Sequence, residues 1–447
     1  RQSNGSWLLR IVSDAAYPHL LNEARLAMED VSCGKAWQRK RPHQNAFEIG
    51  LTWWHWPSVF PQHGPGRKHG RPIYLADWQR EIVEAAVAVA DPEDRATYAR
   101  LLALLAQSLI YAGEVERRVA LAREALAIAE RSSDPSLLLR IAAPVVNALA
   151  GPERASLRAE IAERAVAEAG ASGDPVLEFG VRHMAFVVAI ELADPDTAAR
   201  SLARMREIAA QVGTPRLTWT VGMLDTFEAT MEARFDEAEA LATATFESGQ
   251  QILETDAFTI FAGQVFAIGA FAGRHAELIP LVEQAMADTP DVLAIRLAHG
   301  IICAEAGRRE VAEAILAEGA ANGFSQIPTD QFLTTSLVGY AVLALELGDV
   351  DVAAQLLPLL EPYVAEVTFT GMTSQGPVAA YVGKLESLLG RHDLAEEHLR
   401  AALAITEWFG WAYHRATTLF ALAEARTRWL GALDAEGRSW LEEASTR

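Results

Sequence analysis

The feature that most constrains this chain is a punctuation that returns about every forty residues. Ser132-Ser133-Asp134-Pro135, Ser172-Gly173-Asp174-Pro175 and Gly213-Thr214-Pro215 set prolines at 135, 175 and 215. Such a mark closes one helix and opens the next. A glycine, Gly170 or Gly213, can take the left-handed conformation that ends a helix. Ser, Thr or Asp then caps its successor, and proline fits the first turn, where no amide donor is needed.

A second series falls midway between these marks. It runs Ala112-Gly113-Glu114, Ala193-Asp194-Pro195, Ala233-Arg234-Phe235-Asp236, Ala272-Gly273-Arg274, Ala306-Gly307-Arg308, Leu347-Gly348-Asp349 and Leu389-Gly390-Arg391, with Gly151-Pro152 between the first two. The flanks carry apolar residues at helical spacing, as at Leu101, Leu104 and Leu105 or Ala238, Leu241 and Ala242. Alanine, leucine, glutamate and arginine dominate, all good helix formers. The pattern predicts a helix-turn-helix pair repeated eight times from about residue 97 to 408, with closing helices near 411–430 and 434–444. One pair cannot bury its own apolar face, so the pairs must stack. The expected fold class is all-α, an α-α superhelix of the tetratricopeptide-like solenoid kind. The β-branched run at 364–369 is expected to lie in a loop between pairs.

At 447 residues the chain is too long for one ordinary domain, and 51% hydrophobic content gives it ample core. The longest apolar stretch, 260–272, is broken by Gly263, Gln264 and Gly269, so no membrane span is expected. A formal charge of −20 argues against a nucleic-acid partner. Two cysteines, Cys33 and Cys303, make no disulfide framework and fit a reducing, cytoplasmic setting. Lysine occurs only at 35, 40, 68 and 384, so arginine supplies nearly all positive charge. The chain starts at Arg1, as a fragment or processed product would.

Residues 1–75 differ from the rest, with ten Lys/Arg against five Asp/Glu and five of the eleven tryptophans. They read as an irregular N-terminal segment: a cap, a degenerate repeat or a non-native stretch. The repeat domain is expected over 76–447. One helix, 19–30, is expected in the segment. Its Trp53-Trp54-His55-Trp56 run, with His63 and His69, either plugs the open end of the solenoid or builds a sugar- or acyl-binding platform.

Gly390, Ala395, Leu399, Ala402 and Leu403 form a pattern that resembles a tetratricopeptide repeat, and Phe235-Asp236-Glu237-Ala238 resembles the same stretch. From Asp77 to Arg428 the chain resembles the C-terminal helical region of large bacterial signalling ATPases. Those proteins couple a nucleotide-binding domain to an adenylate or guanylate cyclase or to a LuxR-type DNA-binding domain. Tyr111-Ala112-Gly113, Arg117-Arg118, Arg123-Glu124-Ala125-Leu126 and the stretch from Gly376-Pro377 to Gly390-Arg391-His392 carry the likeness. The resemblance implies a module that senses a ligand or partner and signals to an effector domain. Neither Gly34-Lys35 nor Gly383-Lys384 completes a phosphate-cradling loop, because Glu29 and Val378 stand where its first glycine would be. No effector domain is apparent, and no cofactor or metal is expected.

Three further features bear on chemistry. His392 and His398 are six residues apart, the wrong spacing for two zinc ligands on one helix face. Ser374 lies between Gly371 and Gly376 but lacks the spacing and preceding strand of a nucleophile elbow. It is expected to cap the helix that starts at Pro377. In the tetratricopeptide register the first helices present Val181, Met184, Val188 and Glu191, then Thr220, Met223, Phe227 and Thr230, then Ile260, Gly263, Ala267 and Ala270. From these, Met184, Val188, Glu191, Met223 and Phe227, with Trp219 beside them, are the candidate ligand-binding residues. The lining is apolar and suits a partner helix or a small apolar ligand. The other reading is that tight coiling buries these positions in self-contact. The function expected is a non-catalytic interaction or sensing scaffold. The alternative is an esterase or glycosidase built on a helical toroid or solenoid.

Overall fold

The computed structural model describes residues 83–445, apart from 85, 92, 111–113, 255–256, 289–292 and 328–331. The N-terminal segment, with its expected helix and its tryptophan-histidine run, and the Tyr111-Ala112-Gly113 mark lie outside the described residues. The chain divides into two compact units, the first ending at Met184 and the second beginning at Ala185.

Eight helix pairs follow one another where the sequence marks delimit them. They are α1 (Arg95–Ser108) with α2 (Val115–Glu130), α3 (Pro135–Ala148) with α4 (Ala155–Ser172), α5 (Pro175–Glu191) with α6 (Pro195–Val212), and α7 (Pro215–Met231) with α8 (Phe235–Gln251). Next come α9 (Ala257–Phe271) with α10 (His275–Asp288), α11 (Leu293–Glu305) with α12 (Arg309–Ala321), α13 (Leu333–Leu347) with α14 (Val350–Leu360), and α15 (Val378–Leu388) with α16 (His392–Phe409). Two closing helices, α17 (Ala412–Leu430) and α18 (Ala435–Ser445), follow. The fold is the all-α repeat of paired helices that the sequence periodicity requires. No helix among the described residues is long and apolar enough to cross a membrane.

The punctuation works largely as its chemistry dictates. Asp194 and Asp349 accept hydrogen bonds from the amides of Thr197 and Val352, each at 3.0 Å. Prolines 135, 195 and 215 occupy first-turn positions. Gly213 closes α6 at φ +67°, but α4 runs past Gly170 and ends at Gly173, φ +70°. Helices α5, α7, α9, α11, α13 and α15 end in the same hydrogen bond, from an amide to the carbonyl five residues back. Asp194 reaches Ala189 at 2.8 Å, Arg234 reaches Ala229 at 2.9 Å and Asp349 reaches Ala344 at 2.9 Å. This closure needs one left-handed residue, and Ala193 and Ala233 fill the place that glycine takes later in the chain.

The two helices of a pair bury different amounts of surface, for a reason visible in their sequences. Helix α8 buries one stripe, Ala238, Ala242, Thr245 and Gly249. Helix α7 is buried on several sides, through Leu217, Trp219, Met223, Leu224, Phe227 and Met231 among others. It must pack on α8 and also on the first helix of the next pair, α9. The same stacking of first helices joins α1 to α3, α11 to α13, α13 to α15 and α15 to α17. Threonines tolerate burial in α7 because Thr226 and Thr230 donate to the Gly222 and Thr226 carbonyls, at 2.8 and 2.7 Å. One apolar cluster, including Leu316, Leu337, Leu343, Leu356 and Leu385, runs through α12 to α15.

Between α14 and α15 the 364–369 run does more than loop. Its end forms β1 (Val367–Thr368), antiparallel to β2 (Gly376–Pro377), with Val367 opposite Pro377. β-Branched residues drive this short ladder.

Candidate functional site

The β-hairpin decides what the first helices of the second unit present. Phe369 and Met372 project from it and are buried. The Phe369 ring meets Phe227 of α7 at 5.0 Å and Phe186 of α5 at 6.0 Å between centroids. Trp411, just before α17, meets Phe227 edge-on at 6.1 Å. Met372 packs so closely on α9 that a Cβ at Gly263 would lie 2.7 Å from its Cε. The chain's own hairpin thus covers the middle of the surface that the repeat register marks out as a groove.

The candidate lining residues are placed accordingly. Met184, Val188, Met223 and Phe227 are buried, and Glu191 is partly buried. Trp219 is buried against α8, its indole 2.7 Å from where a Cβ on Gly249 would stand, so it belongs to the interface within the pair. Thr220, Thr230, Ile260 and Ala267 are buried as well.

Ser374 does not cap α15. Its hydroxyl accepts from the Gly376 amide at 2.9 Å and lies 3.5 Å from the Thr368 hydroxyl, which pins the hairpin turn. The cap position of α15 is Pro377, which offers no side-chain bond. The backbone of Ser374 is a hydrogen-bond partner of the His414 ring. Among the described residues no hydrogen bond joins the Ser374 hydroxyl to His414, so the two do not form a nucleophile-base pair. His398 Nδ1 lies 2.7 Å from the buried Glu386 carboxylate, while His392 stacks on Trp429 with centroids 6.0 Å apart. Neither arrangement brings the two histidines together. Among the described residues no group of three His, Cys, Asp or Glu is placed to hold a metal ion.

Beyond the hairpin, a set of polar groups gathers that the sequence periodicity does not single out. Lys384 of α15 sits with its ammonium 5.2 Å from the centre of the Tyr381 ring. It is the one lysine among the described residues, and there it makes no ion pair. Burial pushes the Lys384 ammonium below the ordinary lysine range, against the opposing pull of Glu424 and Glu346. Burial, reinforced by the charge of Glu305, pushes the Glu346 carboxyl up, while Lys384 and Arg309 draw it down.

Aromatic groups complete the cluster. Tyr381 donates its hydroxyl to the Gln375 carbonyl at 2.6 Å. Burial, then the neighbouring Tyr413, pushes the Tyr381 phenol up. Tyr413 of α17 stacks on Phe271 of α9, with centroids 4.3 Å apart and planes 19° apart. His414 packs edge-on against Phe271 at 5.2 Å and is 5% exposed. Burial and then the Lys384 charge pull its pKa down to about 3, so the imidazole is neutral at physiological pH. Among the described residues its Nε2 is buried without a hydrogen-bond partner. Helices α11, α13, α15 and α17 therefore supply a lysine, three carboxylates, two phenols and a neutral imidazole, and α9 adds the Phe271 ring. The sequence holds one signal for this site, the lone lysine inside an arginine-rich repeat.

No family model matches the sequence, and no curated protein matches it. A solved structure described as a circular tandem repeat protein with novel repeat topology and enhanced subunit contact surfaces is similar at 17% identity, over 83% of this chain and 89% of that one, with a TM-score of 0.19. At that score the likeness carries no weight beside the helix pairing itself.

Proposed function

We propose that this chain is a non-catalytic scaffold that senses a ligand or partner, and that it is the helical module of a bacterial signalling or transcription regulator working in the cytoplasm. One observation carries the sensing role. Lys384 is partly buried beside Glu346, Glu424 and Tyr381, yet among the described residues it forms no ion pair. A charge desolvated without a direct partner lowers stability, and a ligand that supplies the partner recovers that loss. The ligand surface then lies around Lys384, Tyr381 and Tyr413. Of the residues expected to line the groove, Phe227 borders this surface through Trp411, whose ring meets both Phe227 and His414.

Proteins of the resembling group use such a region upstream of an effector, which is why a signalling role is preferred to hydrolysis. The test is a thermal-shift panel of small metabolites, esters and glycosides on the whole chain, followed by mass spectrometry of each hit after incubation. Ligands that raise the melting temperature of the parent but not of Tyr413→Ala, and that return unchanged, are the expected result. Turnover of an ester or glycoside would establish the enzymatic alternative instead.

A further inference from the structure

We propose that Lys384 anchors the single carboxylate of an aromatic ligand, whose ring rests on the surface made by Tyr381, Tyr413 and Phe271. This rests on the ligand-sensing reading above and names the ligand class for the same site.

The choice of cation is the first reason. Of 39 basic residues only four are lysines, and the other three lie at 35, 40 and 68. An arginine at 384 would offer a planar fork of donors to the carboxylates of Glu346 and Glu424 and pair internally. A lysine is a compact point charge, and among the described residues this one reaches no carboxylate. Its neighbour is a ring face, which attracts a cation without neutralising it. The ammonium is held in place and left to bind an anion.

The surroundings define the rest of the ligand. Phe271 and Tyr413 form a stacked pair, and both rings are only partly buried. Each keeps apolar surface on which a further ring gains contact. His414, packed against both rings, brings into the same cluster a neutral imidazole whose Nε2 has no partner among the described residues.

The charge of the ligand is set by the acids. Glu424 is already bonded to Arg428 at 2.7 Å, and Glu305 lies 3.9 Å from His275. Arg309 spends its guanidinium on the Glu346 and Leu347 carbonyls, at 3.1 and 3.3 Å. Glu346 and Glu424 thus act on one available ammonium, and Glu305 acts in turn on Glu346. A monoanion meets that ammonium at small repulsive cost, whereas a dianionic phosphate is repelled by Glu305, Glu346 and Glu424. An aryl monocarboxylate fits, and an aryl phosphate does not.

Benzoate, phenyl phosphate and benzylamine are the probes, titrated into the whole chain whose lysines carry ¹³C-methyl groups introduced by reductive methylation, which preserves their charge. Saturable movement of the Lys384 signal by benzoate, with the signals of Lys35, Lys40 and Lys68 unmoved, is expected. Saturation transfer to the benzoate ring should weaken at least tenfold in affinity for Lys384→Met, and also for Lys384→Arg, whose guanidinium pairs with Glu346 and Glu424, with helical circular dichroism unchanged in both. Phenyl phosphate binding as tightly as benzoate overturns the monoanion assignment. Benzylamine binding in place of benzoate overturns the anion anchor and leaves the sensing scaffold standing. Benzoate affinity unchanged in Lys384→Met removes Lys384 from the site. Silence toward all three probes counts against both the anchor and the aromatic surface.

Discussion

Phe369 of the hairpin and Phe227 of α7 meet with ring centroids 5.0 Å apart and planes inclined at 55°, and each is 2% exposed. Through this contact a short two-stranded element between two helix pairs becomes part of the core of the second unit. Truncating Phe369→Ala leaves a cavity bordered by Phe186 and Phe227 and should cost about 3–5 kcal/mol. Urea denaturation followed by circular dichroism measures it. A loss below about 1 kcal/mol would mean that the hairpin lies on the repeat without supporting it.

How much of this was legible beforehand differs between the repeat and its inner face. Helix boundaries were readable because Pro195, Gly213 and Gly348 act locally, through backbone conformation and capping. The pairing followed from period and apolar spacing. Contacts such as Phe227 with Trp411, or Lys384 with Tyr381 and His414, depend on which loop turns inward, and periodicity carries no information on that. The expectation that Ser374 is a helix cap failed for the same reason. A short strand pair intervened and drew the hydroxyl to the Gly376 amide.

The repeat closure makes a paired prediction. Gly348 has φ +69°, and a Cβ there would meet nothing within 4 Å, so any penalty at this site is purely conformational. Gly348→Val should cost about 1–3 kcal/mol. Ala233 holds the equivalent place at φ +58° and carries a side chain where glycine is preferred. Ala233→Gly should therefore stabilise the chain by about 0.5–1 kcal/mol. Hydrogen exchange should confine the Gly348→Val effect to α12 through α16, since each repeat touches mainly its neighbours. Loss of protection spread evenly over both units would contradict a repeat architecture.

Gly383 tests close approach instead of conformation. It lies inside α15, where exchange for alanine ordinarily strengthens a helix by up to about 1 kcal/mol. Here a Cβ would stand 2.8 Å from Leu399 Cγ and 2.9 Å from the Ala395 carbonyl oxygen of α16. Backbone on the far side cannot swing away as a flexible side chain can. Gly383→Ala should therefore destabilise by about 1–3 kcal/mol. A stability gain in equilibrium unfolding would show that α15 and α16 can move apart freely.

Ser374→Ala should remove the bond to the Gly376 amide and cost about 0.5–1.5 kcal/mol. Because no hydrogen bond among the described residues joins the hydroxyl to a base, the variant should match the parent on ester substrates. An ester hydrolysis rate that disappears with the hydroxyl would assign Ser374 a chemical role.

His414 is held neutral in the folded chain, its pKa brought down to about 3 by burial and by Lys384, and His183 is brought down to about 4 by burial. The unfolded chain protonates both near the ordinary histidine value, about 6.5. Between these limits the unfolded state binds more protons than the folded one, so stability must rise with pH there. It is fully present above about pH 6.5 and is lost as pH falls toward the folded values. Each histidine contributes a slope of about 1.4 kcal/mol per pH unit across its window. His299, lowered by burial, acts in the same direction, whereas Glu346, raised by burial, acts in the opposite one. A comparison of parent with His414→Asn cancels both of those. Urea midpoints between pH 7 and pH 4.5 should show the parent losing stability more steeply than His414→Asn. Parallel curves would mean that the imidazole accepts its proton in the folded chain, through an opening of the Phe271–Tyr413 stack that packs against it.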